Sequence, residues 1–531
     1  MKNEKFAYLI IFLYLCGKLD TMRTRTLLFT ILLAVGLCSA QVTISVGDPE
    51  TWTAQELASY VGQTIVFDAP IVVCSNAGSN LTVAPWRMFQ PQCQGAQGTA
   101  EYNLAAHINS SCWFSLAGVS GYHRCGEKIY HLKAKVNSAT SLTWVSGEWH
   151  GNTRADLEKG LPDLGDYRLL ICSFNLENYF VDHLGKNYLG ANSYAAHQAQ
   201  RAKVSKALKK INADIFGLVE LEEGNSAIQE IVNDLNSNLP GRNYKFFSDA
   251  SSGSSQKSDY VYDANVVEPI GSPSEINTEL VNRKKMLCFR EKATGEKFIF
   301  SINHFKAMNT GDEYRRVNEA RAVLDYYKTK YSPNPSIKDY DVLFMGDLNC
   351  YAKTEPIDVF MNGGMIDLHR AFHADSSYSY MFGGLASYID HAICNETLYP
   401  QITGMAAYTI NSDESDNYTY DKSSDATMFR CSDHDPVLVG LKLDSTLVYD
   451  PTPVLNSAEI IQGNANRLVI QNAHKAEQKS FYAIYTISGL LLQQGEITSV
   501  YHETSKPTTP GVYIVYVYFD GKVYQGKIVV R

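Results

Sequence analysis

The fold of the middle of the chain follows from one short segment, residues 341–349, which reads DVLFMGDLN. Val342 to Met345 is a continuous apolar run, and Gly346 separates it from Asp347 and Asn349. A short apolar run that ends at a glycine is typical of a buried strand. Polar side chains at the end of such a strand lie at a sheet edge, where ligand crevices of α/β proteins form. The segment therefore predicts a buried strand with functional side chains at its end.

The same pattern recurs where other apolar runs meet polar residues that can bind a cation or move a proton. These polar residues are Asn175, Glu220, His304, Asp390, Asp433 and His434. The runs predicted to be strands are Arg168–Asn175, Asp214–Leu221, Lys297–His304, Asp341–Gly346, Tyr388–Ile393 and Pro436–Leu443. Apolar residues spaced three and four apart, as from Ile228 to Leu235, predict helices between the strands. Residues 167–443 are therefore predicted to form one α/β domain.

The residue types at these strand ends suit hydrolysis assisted by a divalent cation. A hard cation takes carboxylate and amide oxygens as ligands. Imidazoles can move protons because their pKa lies near neutrality. Each residue alone would be an ordinary turn former or surface residue, but the ordered set supplies both the oxygen ligands for a cation and the imidazoles for proton transfer.

The composition limits what the protein can do. The 531 residues carry 47 Lys and Arg against 56 Asp and Glu, a formal net charge of −9, which excludes nucleic-acid binding by bulk electrostatics. Hydrophobic residues make up 45%, which excludes a mainly disordered chain. The 11 cysteines are too sparse for a disulfide scaffold.

The amino terminus has the pattern of a secretory signal peptide over residues 1–40, with Met22 as the predicted true start. Basic residues follow Met22, the apolar run Leu27 to Leu37 comes next, and small residues precede a cleavage site after Ala40. The run is too short for a membrane anchor, so no stable membrane span is expected after processing. The alternative is a hairpin of two short membrane segments, the first being Phe6 to Cys16.

Residues 42–150 are predicted to form a β-rich accessory domain, because all five tryptophans and several short apolar runs lie there. A spacer or structural role is favoured, and a binding module with exposed aromatics is the alternative. Gly147 to Gly165 is predicted to be a linker. In an exported protein, four early cysteines could form two disulfides, with three pairings open. These are Cys74, Cys93, Cys112 and Cys125.

The motifs together resemble the endonuclease/exonuclease/phosphatase superfamily, the fold of deoxyribonuclease I. The resemblance rests on the ordered segments Phe174 to Asn178, Leu218 to Glu220, Asn303 to Lys306, Gly346 to Asn349, Ile389 to His391 and Ser432 to Pro436. It implies an α/β four-layer sandwich of two packed β-sheets flanked by helices, here with small all-β domains at both ends of the chain.

The resemblance also implies roles for the strand-end residues. Glu220 would be the main Mg²⁺ ligand, with Asn175, Asp347, Asn349 and Asp433 as further ligands; Mn²⁺ or Ca²⁺ are the alternative metals. His304, Asp347, Asn349, Asp390 and His434 would be catalytic, with Asp390 orienting His434. Arg283 and Lys306 are candidate phosphate contacts, or else solvated surface charges.

Further segments are similar to secreted bacterial nucleases of this superfamily. They are Glu355-Pro356-Ile357, Tyr378 to Phe382 and Ile410 to Glu414. The chain departs from that pattern at Val219, Cys350 and Ile389. The resemblance implies a hydrolase that cleaves DNA and, as a further substrate, RNA. The alternatives are a phosphatase or a sphingomyelinase-type phosphodiesterase of the same fold, and a surface-binding protein without catalysis.

The carboxyl end is predicted to contain a linker over residues 444–466 and a small β-sandwich over residues 467–531. The sandwich resembles the sorting domain of type IX secretion, on Tyr485 to Gly489, Pro510 to Tyr513 and Lys527 to Val530. It implies the type IX secretion machinery as a partner and a location outside the cell or on its surface. A generic β accessory domain is the alternative.

Overall fold

A computed structural model describes most of the chain. The described residues are 42–76, 80–186, 189–251, 253–309, 311–331, 341–443, 459–461, 467–471, 480–486, 490–498, 501–509, 511–519 and 522–530. The predicted signal peptide and most of the predicted linker over residues 444–466 lie outside them. Within the described residues, no helix is both long and apolar enough to cross a membrane.

The N-terminal part of the chain forms a closed β-barrel. Its strands are β1 (Val42–Ile44), β2 (Thr64–Phe67), β3 (Ile71–Ser75), β4 (Leu81–Ala84), β5 (Phe114–Ala117), β6 (Lys128–Ser138) and β7 (Ser141–His150). The strands β3, β4, β5, β7 and β6 pair in that order, and β6 pairs back with β3. Helices α1 (Pro91–Gln94) and α2 (Ala100–Ser111) lie between β4 and β5, α3 (Arg154–Lys159) follows β7, and a 3₁₀ helix spans Ala54–Tyr60.

The middle of the chain contains two six-stranded sheets. The first has the order β10-β11-β9-β8-β21-β20, and the second has the order β12-β13-β14-β15-β19-β16. The strands are β8 (Leu169–Tyr179), β9 (Ile215–Glu222), β10 (Tyr244–Phe246), β11 (Gln256–Asp263), β12 (Val267–Glu275), β13 (Lys284–Glu291), β14 (Lys297–His304), β15 (Val342–Asp347), β16 (Ile366–Asp367), β19 (Asp390–Cys394), β20 (Ile402–Ala407) and β21 (Val437–Leu441). A separate hairpin consists of β17 (Tyr380–Phe382) and β18 (Leu385–Ser387).

Helices cover the outer sides of both sheets. They are α4 (Tyr194–Ile211), α5 (Ser226–Asn238), α6 (Glu313–Lys330) and α7 (Glu355–Asn362). A further helix, α8 (Leu368–His373), instead packs Leu368 and Ala371 into the cluster that both sheets share. Apolar residues of both sheets form one buried cluster, which includes Ile171 and Val219 of the first sheet and Phe300 and Met345 of the second. The first sheet also shares a cluster with α4 and α5, and the second shares one with α6 and α7. The prediction of a mixed α/β fold is confirmed.

The carboxyl end contains only strands in the part that the structure describes. A three-stranded sheet has the order β22 (Glu459–Ile461), β23 (Arg467–Gln471) and β26 (Tyr501–Ser505). A four-stranded sheet has the order β25 (Leu491–Ile497), β24 (Ser480–Thr486), β27 (Gly511–Phe519) and β28 (Lys522–Val530). Residues 459–461, inside the predicted linker, therefore pair with β23.

Two sequence predictions about the N-terminal part are wrong. The stretch from Gly147 to Gly165, predicted to be a linker, contains the end of β7 and all of α3. The four early cysteines are buried free thiols and form no disulfides. Backbone carbonyl groups accept from these thiols where they lie: Cys112 donates to Trp52 at 3.1 Å, and Cys93 donates to Tyr388 at 3.9 Å. Short apolar runs predict strands, but they do not show whether two cysteines lie close enough in the fold to form a disulfide.

Candidate active site

The ends of the central strands of both sheets bring the predicted functional residues together. In the second sheet, Asp347 is the register partner of His304 on β14 and of Asp390 on β19. In the first sheet, β8 and β9 run parallel, so Asn175 and Glu220 reach the same edge. Carboxyl ends of parallel strands meet at one side of a sheet, which is why short separated motifs converge here.

Amide hydrogen bonds fix the carboxylates on the two sheets. Asn175 Nδ2 donates to Asp347 Oδ2 at 3.1 Å, which links the first sheet to the second. The backbone N–H of Asn178 donates to Glu220 Oε2 at 3.0 Å. Glu220 itself has a φ of 63°, and this left-handed backbone turns its side chain at the end of the strand. Both carboxylates are thereby held by donors that leave other oxygen lone pairs open.

The segment that begins at Gly346 holds Asp347 by local hydrogen bonds. Gly346 has a φ of 127°, and a Cβ there would overlap the backbone of Asn303. A side chain is therefore excluded at this position. The backbone N–H of Asn349 donates to Asp347 Oδ1 at 2.8 Å, and Asn349 Nδ2 donates to the Phe305 carbonyl at 3.1 Å. The Gly-Asp-Leu-Asn motif is thus a rigid support for one carboxylate.

His304 lies between the Arg283 guanidinium and the carboxylates of Glu220 and Asp347. Its Nε2 is 3.6 Å from Glu220 Oε1 and 3.9 Å from Asp347 Oδ2. Arg283 Nη1 donates to His304 Nδ1 at 3.2 Å. Burial, reinforced by the charge of Arg283, lowers the pKa of His304 well below its usual value. This imidazole is therefore neutral at physiological pH.

His434 has the opposite electrostatic environment. Its Nδ1 donates to Asp390 Oδ2 at 2.8 Å, and its Nε2 is 3.9 Å from both Asp347 Oδ2 and Asp433 Oδ1. Burial opposes the charged form, but these three aspartates together raise the pKa of His434 well above its usual value. Ser379 Oγ also donates to Asp390 Oδ2, at 2.8 Å. Asp390 and Ser379 thus orient a positively charged imidazole.

The acidic residues at this edge repel one another. Burial and then Asp433 raise the pKa of Glu220. Burial, with Asp390 nearby, raises the pKa of Asp347 to about 7. Burial and then Asp433 raise the pKa of Glu177 to about 8. Crowded carboxylates with raised pKa values bind a divalent cation well, because the cation removes the cost of burying like charges.

Glu177 was not among the predicted site residues. Its Oε2 is buried and has no hydrogen-bond partner in the described part of the chain. Asn175 and Glu177 are two apart, a spacing that places side chains on one face only where the strand is extended. The strand is not extended there, because Glu177 and Asn178 have φ values of 53° and 58°. The Glu177 carboxylate is close enough to Asp433 and Glu220 for their charges to raise its pKa.

The donor set fits a hard cation. Carboxylate and amide oxygens of Asn175, Glu177 and Glu220 surround the same edge, and no thiol is among them. Among the described residues, Asp347, Asp390 and His434 form one group that could also hold a metal ion, with ligand atoms within 4.8 Å of one another. Two donors already occupy Asp390 Oδ2, so this group is less open to a metal than the Glu220 side of the site.

The two predicted phosphate contacts have different surroundings. Arg283 reaches His304, as described above. Lys306 lines a cavity with Thr278, Glu279 and Arg315, and its backbone N–H donates to Glu319 Oε2 at 2.8 Å. Asp433 is at the edge and its side chain is 33% exposed, so it borders the solvent side of the site. The buried predicted residues are Asn175, His304, Asp347, Asn349, Asp390 and His434, and the Glu220 side chain is 15% exposed.

No family model and no curated protein matches the chain. A solved structure of an endonuclease/exonuclease/phosphatase from Bacteroides vulgatus is 16% identical, covering 52% of this chain and 99% of that chain, with a TM-score of 0.37. A mannosyl-6-phosphatase from Bacteroides thetaiotaomicron is 18% identical over 52% of this chain and 100% of that chain, with a TM-score of 0.36. The human Nocturnin catalytic domain is 14% identical over 52% of this chain and 94% of that chain, with a TM-score of 0.38. At these identities and TM-scores, the likeness assigns neither an activity nor a substrate to the chain.

Proposed function

We propose that this protein is a secreted, metal-dependent phosphodiesterase of the endonuclease/exonuclease/phosphatase superfamily, and that it hydrolyses DNA. The observation that supports this most strongly is the convergence of two imidazoles on the buried Asp347 carboxylate. The Nε2 atoms of His304 and His434 both lie 3.9 Å from Asp347 Oδ2, and Asp390 holds His434 at 2.8 Å. A phosphodiester needs both an acceptor for a water proton and a donor for developing negative charge. The two packed sheets with outer helices are interpreted as the four-layer sandwich of this superfamily.

Mg²⁺ is the proposed metal, with Mn²⁺ and Ca²⁺ as alternatives. Glu220 would hold it together with Asn175 and Glu177, since Glu177 Oε2 is buried without a partner. When bound, the cation supplies positive charge that stabilises the charge developing on the phosphorus and on the leaving oxygen. Asp433 would balance the charge at the solvent side of the site.

The remaining polar residues act on the phosphate and on the attacking water. Asp347, with a pKa of about 7, can accept a proton from that water, and Asn349 fixes its orientation. His434 Nε2 donates a hydrogen bond to a phosphate oxygen, because Asp390 occupies its Nδ1. Arg283 faces His304 and supplies a second positive charge for the anionic substrate.

A substrate panel tests this proposal. Purified protein would be incubated with supercoiled plasmid DNA, RNA, sphingomyelin vesicles and a sugar phosphate, each with Mg²⁺ and with an excess of chelator. We expect cleavage of the plasmid with Mg²⁺, weaker cleavage of RNA and no loss in the other two samples. Hydrolysis of sphingomyelin or of the sugar phosphate alone would assign the site to another branch of the superfamily. A lack of activity on all four would favour a binding protein.

The carboxyl-terminal strands are proposed to be a type IX secretion sorting domain that delivers the enzyme to the cell surface or the medium. Every residue placed in the site precedes Leu443, and this domain contributes none of them. Deleting residues 447–531 should therefore leave the kcat for plasmid cleavage unchanged while the protein stays inside the cell. The check is activity of the purified truncated protein and fractionation of the expressing cells. A folded but inactive truncated protein would contradict the modular interpretation.

A further inference from the structure

The segment between β4 and α1 of the N-terminal part forms a β-bridge with the hairpin that leads into the proposed site. The backbone N–H of Gln90 donates to the Ala386 carbonyl at 2.9 Å, and the Ala386 N–H donates to the Met88 carbonyl at 2.9 Å. Phe89 is the parallel bridge partner of Ala386 on β18. Residues 88–90 therefore pair with the β17–β18 hairpin over its outer edge. The hairpin is held by the barrel as well as by its own two short strands.

The three residues at the start of this hairpin each have a different role. The Tyr378 hydroxyl donates to Asp413 Oδ2 at 2.6 Å. Ser379 Oγ donates to Asp390, the carboxylate that orients His434. The Tyr380 ring lies 4.8 Å from the His434 ring, between centroids, and the two residues form an antiparallel bridge. The segment that begins at Tyr378 therefore contacts both members of the Asp390–His434 pair, through Ser379 and Tyr380.

Arg87 of the barrel is the charged side chain that holds Tyr378 in place. Its Nη2 donates to Asp413 Oδ1 at 2.6 Å, and its guanidinium lies 4.8 Å from the Tyr378 ring centroid. The side chains of Arg87 and Asp413 are only 11% and 0% exposed. A buried ion pair is costly unless further hydrogen bonds complete it, and Asn152 Nδ2 donates to Asp413 Oδ2 at 2.8 Å. The barrel thus supplies two of the three side-chain donors to Asp413.

The neighbouring Glu414 extends this contact. Arg124 pairs with Glu414 Oε1, and Arg154 of α3 pairs with Glu414 Oε2 at 2.6 Å. Asp413 and Glu414 belong to the loop that follows β20. From that loop, Asn411 Nδ2 donates to the His434 carbonyl at 2.7 Å. The backbone of His434 is therefore hydrogen-bonded to the loop whose acids, Asp413 and Glu414, form ion pairs with arginines of the N-terminal part. Three arginines against two adjacent buried acids make this interface complementary in charge.

We infer that the barrel is a positioning element of the proposed active site, and that Arg87 and Tyr378 align the Asp390–His434 pair through Ser379. This inference rests on the proposed function for its catalytic readout. It gives the N-terminal domain a role that the spacer prediction did not include. Arg87 and Tyr378 are positioning residues, because their contacts reach His434 through Asp413 and through the neighbours Ser379 and Tyr380.

Steady-state kinetics of plasmid cleavage by full-length Arg87→Met and Arg87→Lys variants tests the inference. Small misplacements remote from the chemistry can cost on the order of 100-fold, so we expect kcat to fall by up to about 100-fold in Arg87→Met. KM should stay within about twofold of wild type, because substrate binding is not touched. Arg87→Lys should recover part of kcat. The matched control is Arg290→Met, which removes an exposed pair with Glu268 on the second sheet and should match wild type.

A spectroscopic measurement separates this inference from the proposed function. The ring N–H of His434 that donates to Asp390 should give a downfield proton NMR signal in the substrate-free protein. We expect this signal to be lost or broadened in Arg87→Met and in Tyr378→Phe, and retained in Arg290→Met. If the wild-type protein cleaves no DNA, the proposed function is wrong, but the His434 N–H signal still tests whether Arg87 and Tyr378 position the Asp390–His434 pair. If Arg87→Met does not fold, Tyr378→Phe decides; wild-type kcat and an unchanged signal in a folded variant would overturn the inference.

Discussion

Replacing Glu220 by Gln is expected to reduce Mg²⁺-dependent cleavage of plasmid DNA on the order of 10³-fold, since a metal contributes several kcal/mol of charge stabilisation. Glu220 is the carboxylate at the centre of the proposed cation site, 3.6 Å from His304, and burial raises its pKa. Gln keeps the shape but removes the charge. An excess of chelator should reduce wild-type activity to the same level. The measurement is the initial rate of plasmid relaxation together with Mn²⁺ affinity by calorimetry.

Glu222 on the same strand supplies the control. Its buried carboxylate accepts from the backbone N–H groups of Val181 and Asp182, at 2.6 and 2.8 Å. Glu222→Gln should therefore lower the melting temperature rather than kcat or metal affinity. Full activity of Glu220→Gln, or of the wild-type protein in chelator, would contradict the metal site.

Replacing His434 by Ala should lower kcat by on the order of 10²–10⁴-fold, the range for a general acid–base group. His304→Ala should do the same, because its neutral imidazole faces the same carboxylates. Metal affinity should barely change in either variant, since oxygens hold the cation. Rapid-quench kinetics of oligonucleotide cleavage and Mn²⁺ calorimetry on the same samples measure the two effects separately.

The 2.8 Å hydrogen bond between His434 and Asp390 makes a sharper prediction. Asp390→Asn should reproduce part of the loss, because it removes the acceptor that fixes the imidazole tautomer. The double variant should be little worse than His434→Ala alone, since residues that act as one unit are not additive. Fully multiplicative losses would show that the two residues act separately.

The strands that carry the site could be predicted from the sequence because each is a short apolar run with a polar end. Lys297–His304 forms a strand with the predicted bounds, and β15 begins one residue after the predicted Asp341. The convergence of Asn175, Glu220 and Asp390 follows from strand direction and register, which are properties of a sheet. Most residues of the candidate site could thus be predicted from apolar runs in the sequence and from the general rules of strand direction in sheets.

The contacts that join the barrel to the site could not be predicted in this way. Arg87 and Asp413 are 326 residues apart, and neither lies in an apolar run that reveals its partner. The cavity that Lys306 lines with Thr278, Glu279 and Arg315 also joins residues that are distant in the sequence. Glu177 escaped because the left-handed backbone at the end of β8 breaks the strand alternation. Which surfaces meet depends on tertiary packing, and a single sequence carries no local signal for it.

Mass spectrometry of a duplex DNA oligonucleotide, digested with Mg²⁺ in water labelled with a heavy oxygen isotope, tests the central claim most directly. The proposed site activates water beside Asp347 for attack on phosphorus, so each cleaved strand should carry one labelled oxygen on its new terminal phosphate. Label in that phosphate, absent when chelator is added, is the predicted result. An intact oligonucleotide, or cleaved strands without label in the phosphate, would contradict hydrolysis at this site.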